Sequence, residues 1–404
     1  MSRINPKTIE IAQWIAVTGM FFMNRIEAAT SLFAAFLIIN YKKGKTSTSL
    51  LLPLICWFIY NILLIKSIHY DIEKCIQQFI LISIFILSYE QVFRNARKNP
   101  ELIFLKYVRV TYYISLIGLF QEICYVALNV NICDCFGYHS TQPLFGFMMR
   151  VTSTLSEGGY LGTVLIPSII YLFYYNDPTH VLGKKKYWIL LVGLLSMSPF
   201  VYLTVTIIFT IKFYKKFPKI KYLIGICIVV IAYQSYQGIM NGEYKRESGG
   251  INGIFMRVKE SVDMVTLFSS DEVLQLSQYN ASTGVLGTSL YIAFNAPSRL
   301  LGTGLGTQEQ NHEKIAGQIL TGTESFAELN KEDGYSLFTR ILSELGMAGL
   351  TIYLFFILFC FNKRNYINVC AFYMIVCFFL RGGSYVDYGT VFMHFLYFYT
   401  SKKT

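Results

Sequence analysis

Charge is scarce in this chain. Only 15% of its 404 residues are Asp, Glu, Lys or Arg, against about 25% in soluble domains, while 54% are hydrophobic and the mean hydropathy is +0.45. So few charges exclude a cytosolic enzyme and a disordered tail. Histidine is scarcer still, and the five at positions 69, 139, 180, 312 and 394 never approach zinc-ligand spacing. Nor do the nine cysteines form the framework of a secreted scaffold. Those at 56, 75, 227, 360, 370 and 377 lie in or beside apolar runs, as small packing residues do. Cys124 sits late in such a run, and Cys133 and Cys135 form a pair whose role, disulfide or metal, stays open. No small-residue cleavage site follows Met1 to Lys7, so no removable leader is expected. Neither a repeat of fixed period nor a low-complexity segment is present, which counts against a transporter built from duplicated halves.

What the chain has instead is a succession of apolar runs, about twelve of them: residues 9–23, 26–40, 48–65, 75–93, 103–128, 159–175, 187–197, 199–211, 222–239, 347–361, 366–380 and 389–400. This predicts an all-α polytopic membrane protein. The net charge of +11 suggests nucleic acid only until it is located. Of the 35 basic residues, 21 fall in alternate breaks between runs: near Arg3, at 42–45, 94–106, 184–186, 212–221, 363–364 and 402–403. By the positive-inside bias these breaks face the cytoplasm, as do both termini. Nucleic acid as a partner loses its main support. Lys186 and Lys212 then lie on one side, so the residues between them must form a hairpin turning near Ser196, Ser198 and Pro199, and residues 9–40 a second one near Asn24 and Arg25. Half-spans of about 12 to 15 residues reach only about 18 to 22 Å, short of a bilayer core of about 30 Å, and need longer neighbours.

Three regions follow: residues 1–239 with a first outer loop at 129–158, residues 240–346 as a large outer loop leading into the membrane, and residues 347–404 as the last spans. Residues 240–335 carry 7 basic and 12 acidic side chains. Helices are expected at Ile254 to Val265, at Val285 to Asn295 and at Tyr335 to Leu345, the last with Leu337, Phe338, Ile341, Leu342 and Leu345 on one face and Gly346 as its stop.

Two outer stretches stand out. One runs from Arg150 through Glu157-Gly-Gly-Tyr160 to Gly162. The other begins with Gly302-Thr-Gly304-Leu-Gly306 and continues, about thirty residues on, as Glu332-Asp333-Gly334-Tyr335 through Arg340 and Glu344 to Gly346 and Gly349. With no preceding strand and no following Lys-Ser/Thr, the three glycines are not a nucleotide cradle; tight turns against the membrane surface are expected of them. Asp71 and Glu73, in a short loop, offer a weaker alternative as an acidic pair for a divalent ion.

In their order, these stretches, the serine-turned hairpin and the late loop resemble bacterial O-antigen polymerases of the Wzy type, over residues 140–400; the first 140 match by hydropathy alone. O-antigen ligases share the pattern but usually have a His where this chain reads Glu-Asp-Gly-Tyr, which favours a polymerase. The resemblance implies a GT-C-like glycosyltransferase of the bacterial inner membrane that joins undecaprenyl-diphosphate-linked oligosaccharide units at the periplasmic face. It also implies a chain-length regulator as a possible partner besides membrane lipids, and no cofactor or metal. A ligase, a capsule or exopolysaccharide polymerase, and a flippase for the same lipid-linked sugar are the alternatives.

A departing diphosphate develops negative charge that a guanidinium meets with two parallel hydrogen bonds. The outward arginines are Arg25, Arg150, Arg246, Arg257, Arg299, Arg340 and Arg381; Arg150 and Arg257, then Arg381, are the candidates for diphosphate. The plain alternative for each is snorkelling or loop pairing. An acceptor hydroxyl needs a base, and Glu157, Asp333 and His312 are the candidates. Each has a plainer reading: Glu157 orienting Arg150 two helical turns away, Asp333 capping the helix near Tyr335, and His312 as a solvated loop residue. Tyr160, Arg299, Tyr335 and Arg340 are assigned to substrate contact, although Arg340 and Glu344 at i,i+4 also suit a helix-surface ion pair.

Overall fold

The computed structural model describes residues 6–21, 25–41, 50–95, 99–136, 143–144, 148–216, 281–316, 329–382 and 384–401. Those residues are mostly helical. Three helices are long and apolar enough to cross a membrane: α4 (Glu73–Asn95), α5 (Pro100–Leu128) and α11 (Leu337–Cys360). They mark a membrane protein. Shorter helices surround them: α1 (Pro6–Gly19), α2 (Arg25–Tyr41), α3 (Leu51–Ser67), α6 (Gly158–Ile169), α7 (Lys186–Leu195), α8 (Pro199–Lys216), α9 (Ala281–Asn295), α10 (Gln308–Ala316), α12 (Tyr366–Leu380) and α13 (Thr390–Tyr399). The only strands among the described residues are β1 (Pro143–Leu144) and β2 (Met148–Met149), an antiparallel pair. Of the expected helices, 222–239 and 254–265 lie outside the described residues.

Local sequence explains several boundaries. Pro100 opens α5, where a missing N–H costs nothing, and Asn129 closes it in the left-handed region at φ 53°. Ser336 caps α11 in a reciprocal box with Thr339. The stop expected at Gly346 is present as a break, φ 66° and ψ −171°, that splits α11 into a loop-side and a membrane-side piece. The expected apolar face of the first piece packs: Leu337, Ile341 and Leu342 are buried against Ala293 of α9, and Phe338 meets Phe379 edge-on.

Both expected helix pairs are present, the turn near Asn24 lying outside the described residues. α1 packs on α2, with Ala12, Ala16, Ala28 and Ala35 buried, small residues that allow close approach. α7 and α8 are joined by Ser196, Met197 and Ser198. α6 and α12 pack against each other, and α6 also meets α5, α7 and α8. Tyr89, Tyr107, Tyr171 and Tyr397 are fully buried, and each hydroxyl has a partner: Ala16 O, Val164 O, Thr179 Oγ1 and Ile357 O respectively. A buried hydroxyl without one would be costly.

The helix ends sort into two sets. Lys106 of α5 reaches Glu10 of α1, Glu101 meets Tyr366 of α12, and Lys212 of α8 meets Asn176 beyond α6. Those ends carry the described lysine clusters. At the other end Thr154 bonds Phe21 O, Val151 bonds Leu195 O and Arg340 bonds Gln78 of α4.

Candidate functional site

The segment from Arg150 to Glu157 is a pinned loop that turns at Thr152–Leu155, not a helix, so it has no two-turn helical spacing by which Glu157 could orient Arg150. Gln121 of α5 accepts from the amides of Thr152 and Ser153 at 3.2 and 2.8 Å, Ser153 Oγ donates to Ile114 O at 2.8 Å, and Thr154 Oγ1 to Phe21 O at 2.9 Å. Held this way, Arg150 sends its Nε to Ser196 O at 2.7 Å, in the turn between α7 and α8. The glycines that open α6 make the room: a Cβ on Gly158 would lie 2.5 Å from Ser196 O and 2.7 Å from Arg150 Nε, and one on Gly162 2.6 Å from Ser198 Oγ.

Beside this guanidinium lies a narrow crevice lined by Glu157, Tyr160, Ser198, Phe200 and Arg381. Arg381 arrives from the C-terminal end of α12. Burial lowers the Arg150 pKa, the neighbouring Arg381 charge lowers it further, and Glu157 opposes both. Glu157 occupies the N-cap of α6 without a side-chain capping bond, so its carboxylate is available to the crevice. The Tyr160 and Tyr388 rings pack at a tilt of 30° with centroids 4.6 Å apart, and Ser156 Oγ and Tyr388 Oη are 2.6 Å apart. Arg150 and Arg381 thus bring two positive charges, opposed by Glu157, to the N-terminal end of α6.

A second polar cluster adjoins it. Arg340 is 2% exposed; it donates to Gln78 Oε1 at 2.7 Å and to Asp333 and Glu344, both at 3.3 Å, and its guanidinium lies 4.6 Å from the Tyr385 ring. Glu344 is fully buried and also accepts from Tyr385 Oη at 2.9 Å and from Gln308 N at 3.3 Å. The Tyr385 hydroxyl is held well above its usual pKa by burial first and by the Glu344 charge second. The Arg340–Glu344 pair, expected on a helix surface, is therefore a core ion pair. The loop from Arg381 to Gly389 joins the two clusters, with Gly382 N bonded to Tyr335 O at 3.0 Å.

The remaining assignments divide. Glu157, Tyr160, Arg150 and Arg381 come together. Asp333 is tied to Arg340 and does not cap α11, which Ser336 does. Tyr335, at φ 66°, braces the Arg381 loop through its carbonyl. His312 is buried within α10, not solvated, and Arg299 is exposed on the turn after α9, 3.5 Å from Asn295 Oδ1. Neither lines the crevice. Arg257, Arg246 and the Arg25 side chain lie outside the described residues. Asp71, weighed as a metal ligand, accepts from Glu73 N at 3.1 Å at the start of α4, while its backbone N–H and C=O both pair with the Gln310 side chain.

Sequence reasoning missed Ser196, Ser198, Gln78, Tyr385 and Tyr388. The serines carried a signal, as the turn of the short hairpin; Tyr385 and Tyr388 had one only through Arg381 nearby. No family model, no curated protein and no solved structure matches the chain.

Proposed function

We propose that this chain is an integral-membrane glycosyltransferase of the bacterial inner membrane that polymerises undecaprenyl-diphosphate-linked oligosaccharide units, as the resemblance to O-antigen polymerases implies. The observation that carries the reading is a crevice lined by Glu157 and Arg381, with Arg150 close enough to feel both charges, at the end of the bundle away from the lysine clusters. In this reading the acceptor hydroxyl oxygen bonds to the anomeric carbon of the donor sugar as its bond to the diphosphate oxygen breaks. The hydroxyl proton passes to Glu157, and the electron pair leaves with the diphosphate, whose new charge Arg150 and Arg381 receive. Tyr160, held by Tyr388, positions sugar. Arg340, Glu344 and Asp333 brace the loop that carries Arg381 and touch no substrate.

Deleting the gene in its native host tests this. A polymerase leaves lipopolysaccharide carrying a single repeat unit. Loss of all O-antigen with accumulated lipid-linked polymer would instead indicate a ligase, and units trapped on the cytoplasmic face a flippase.

A further inference from the structure

At the other end of the bundle lies a cavity of about 290 Å³ that the site above does not use. It exists because α6 does not end as an α-helix. Pro167 has no N–H for the Thr163 carbonyl, and residues Ile170–Tyr174 form a π-turn, in which Tyr175 N reaches back to Ile170 O at 3.2 Å. Such turns are wider than α-helix and recur at functional positions. α8 and α12 both pack on α6 and on this turn, and the gap between them is walled by Ile170, Thr204, Ile208 and Phe372, with Tyr174 and Tyr373 as aromatic edges. Its side is open, since Ile207 on the wall is 37% exposed beside the outward-facing Leu203 and Phe209.

The open end is cationic. Lys363 lines the cavity and is exposed. Lys215 lies 5.8 Å over the Tyr174 ring, and Lys212 and Lys186 interact electrostatically nearby. Among the described residues, no carboxylate lines the cavity. Two acidic groups at this end of the bundle are committed elsewhere: Asp177 accepts from the amides of Val181, Leu182 and Gly183, and Glu101 from Tyr366 Oη. An apolar slot that opens sideways, edged by tyrosines and rimmed by lysines, has the chemistry of a lipid with a negative headgroup. Its volume is at the small end of ligand pockets, about 300 to 1,000 Å³, enough for part of one acyl chain.

The geometry points to a specific binding site for an anionic phospholipid here, with an acyl chain between α8 and α12 and the headgroup phosphate between Lys215 and Lys363. It is independent of the glycosyl-transfer reading, because none of its residues is in the crevice.

Native mass spectrometry of the full chain in detergent, titrated with palmitoyl-oleoyl phosphatidylglycerol or the matching phosphatidylcholine, tests it. The glycerol lipid should bind more tightly. Because a basic residue near a charged lipid surface contributes roughly a fivefold change in affinity, Lys363→Gln should weaken phosphatidylglycerol about fivefold and Lys215→Gln with Lys363→Gln about thirtyfold. Phosphatidylcholine should be unaffected by either. Ile207→Trp, which fills the slot from its exposed wall, should weaken both lipids. Equal affinity for the two lipids, or a double variant that binds phosphatidylglycerol as tightly as wild type, overturns the site. Failure of wild type to bind either means that the cavity is closed by the chain itself, and displacement of phosphatidylglycerol by equimolar undecaprenyl phosphate means that the slot holds a polyprenyl chain; both also overturn it.

Discussion

Arg150 and Arg381 repel each other, and burial makes the repulsion stronger because little water is present to screen it. Glu157 offsets one of the two charges, so an anion entering the crevice relieves what remains. Arg150→Ala and Arg381→Ala should each lower polymer formation by about two orders of magnitude or more, given about 3 to 4 kcal/mol for a lost transition-state donor. The readout is the ladder of chain lengths at unchanged protein level, and a full ladder in both variants would remove the diphosphate assignment. Arg150→Lys should not restore activity, since the ammonium lacks the Nε that fixes Arg150 to Ser196 O. Arg340 predicts a different outcome. Arg340→Met strands the buried Glu344 carboxylate, a loss of about 3 to 5 kcal/mol, so the variant should lose its folded peak at lower temperature on size-exclusion chromatography after heating. A melting point equal to wild type would show that the pair does not hold the core. Arg150, Glu157 and Tyr160 were legible because they are close in sequence. Arg381 was a candidate from the sequence as well, but its place beside them comes from the packing of α12 on α6, and burial of Arg340 depends on Gln78 and Tyr385, which no local pattern links to it.

At the level of elements, the three glycines at 302, 304 and 306 are explained by what they touch. All have positive φ, and each presses on the backbone or side chain of a different helix. A Cβ on Gly302 would lie 2.5 Å from Gly346 N, one on Gly304 2.5 Å from Ile65 Cγ1, and one on Gly306 2.9 Å from Cys75 N. The loop therefore clasps α11, α3 and α4 together, and the expected turns against a membrane surface are turns against helices. Asn61 completes the clasp by accepting from Leu305 N at 2.7 Å. Gly183 supplies the control, for it too has positive φ, 53°, but nothing within 4 Å of a Cβ. Gly183→Ala should cost only the left-handed backbone term, about 1 to 2 kcal/mol. Gly302→Ala and Gly346→Ala should cost clearly more, because backbone must also move. Melting temperatures of the purified variants decide this, and equal losses at all three positions would mean that the clasp contributes nothing. Spacing revealed that the glycines mattered and that Gly346 ends a helix segment. Which helices they join could not be read, because those contacts cross most of the chain.

For the whole molecule, the pattern of basic breaks was readable because a bilayer admits few ways of arranging apolar helices. The short hairpins at α1–α2 and α7–α8 followed from the same constraint, and α4, α5 and α11 are the long neighbours such half-spans require. This gives the glycosyl-transfer reading its most exposed consequence. The donor's diphosphate lies outside the inner membrane, so the crevice end must face outward and the lysine end inward. Met197, 37% exposed in the turn whose Ser196 holds Arg150, reports on the first end, and Lys363 on the second. With the nine native cysteines replaced, Met197→Cys should react with a membrane-impermeant maleimide in cells whose outer membrane alone is opened. Lys363→Cys should react only after the inner membrane is lysed. Neither substitution removes a crevice charge, so activity can be checked in the same strains. If Met197→Cys were protected until lysis while Lys363→Cys reacted before it, Arg150 and Arg381 would face the cytoplasm, where no outward-presented diphosphate could reach them.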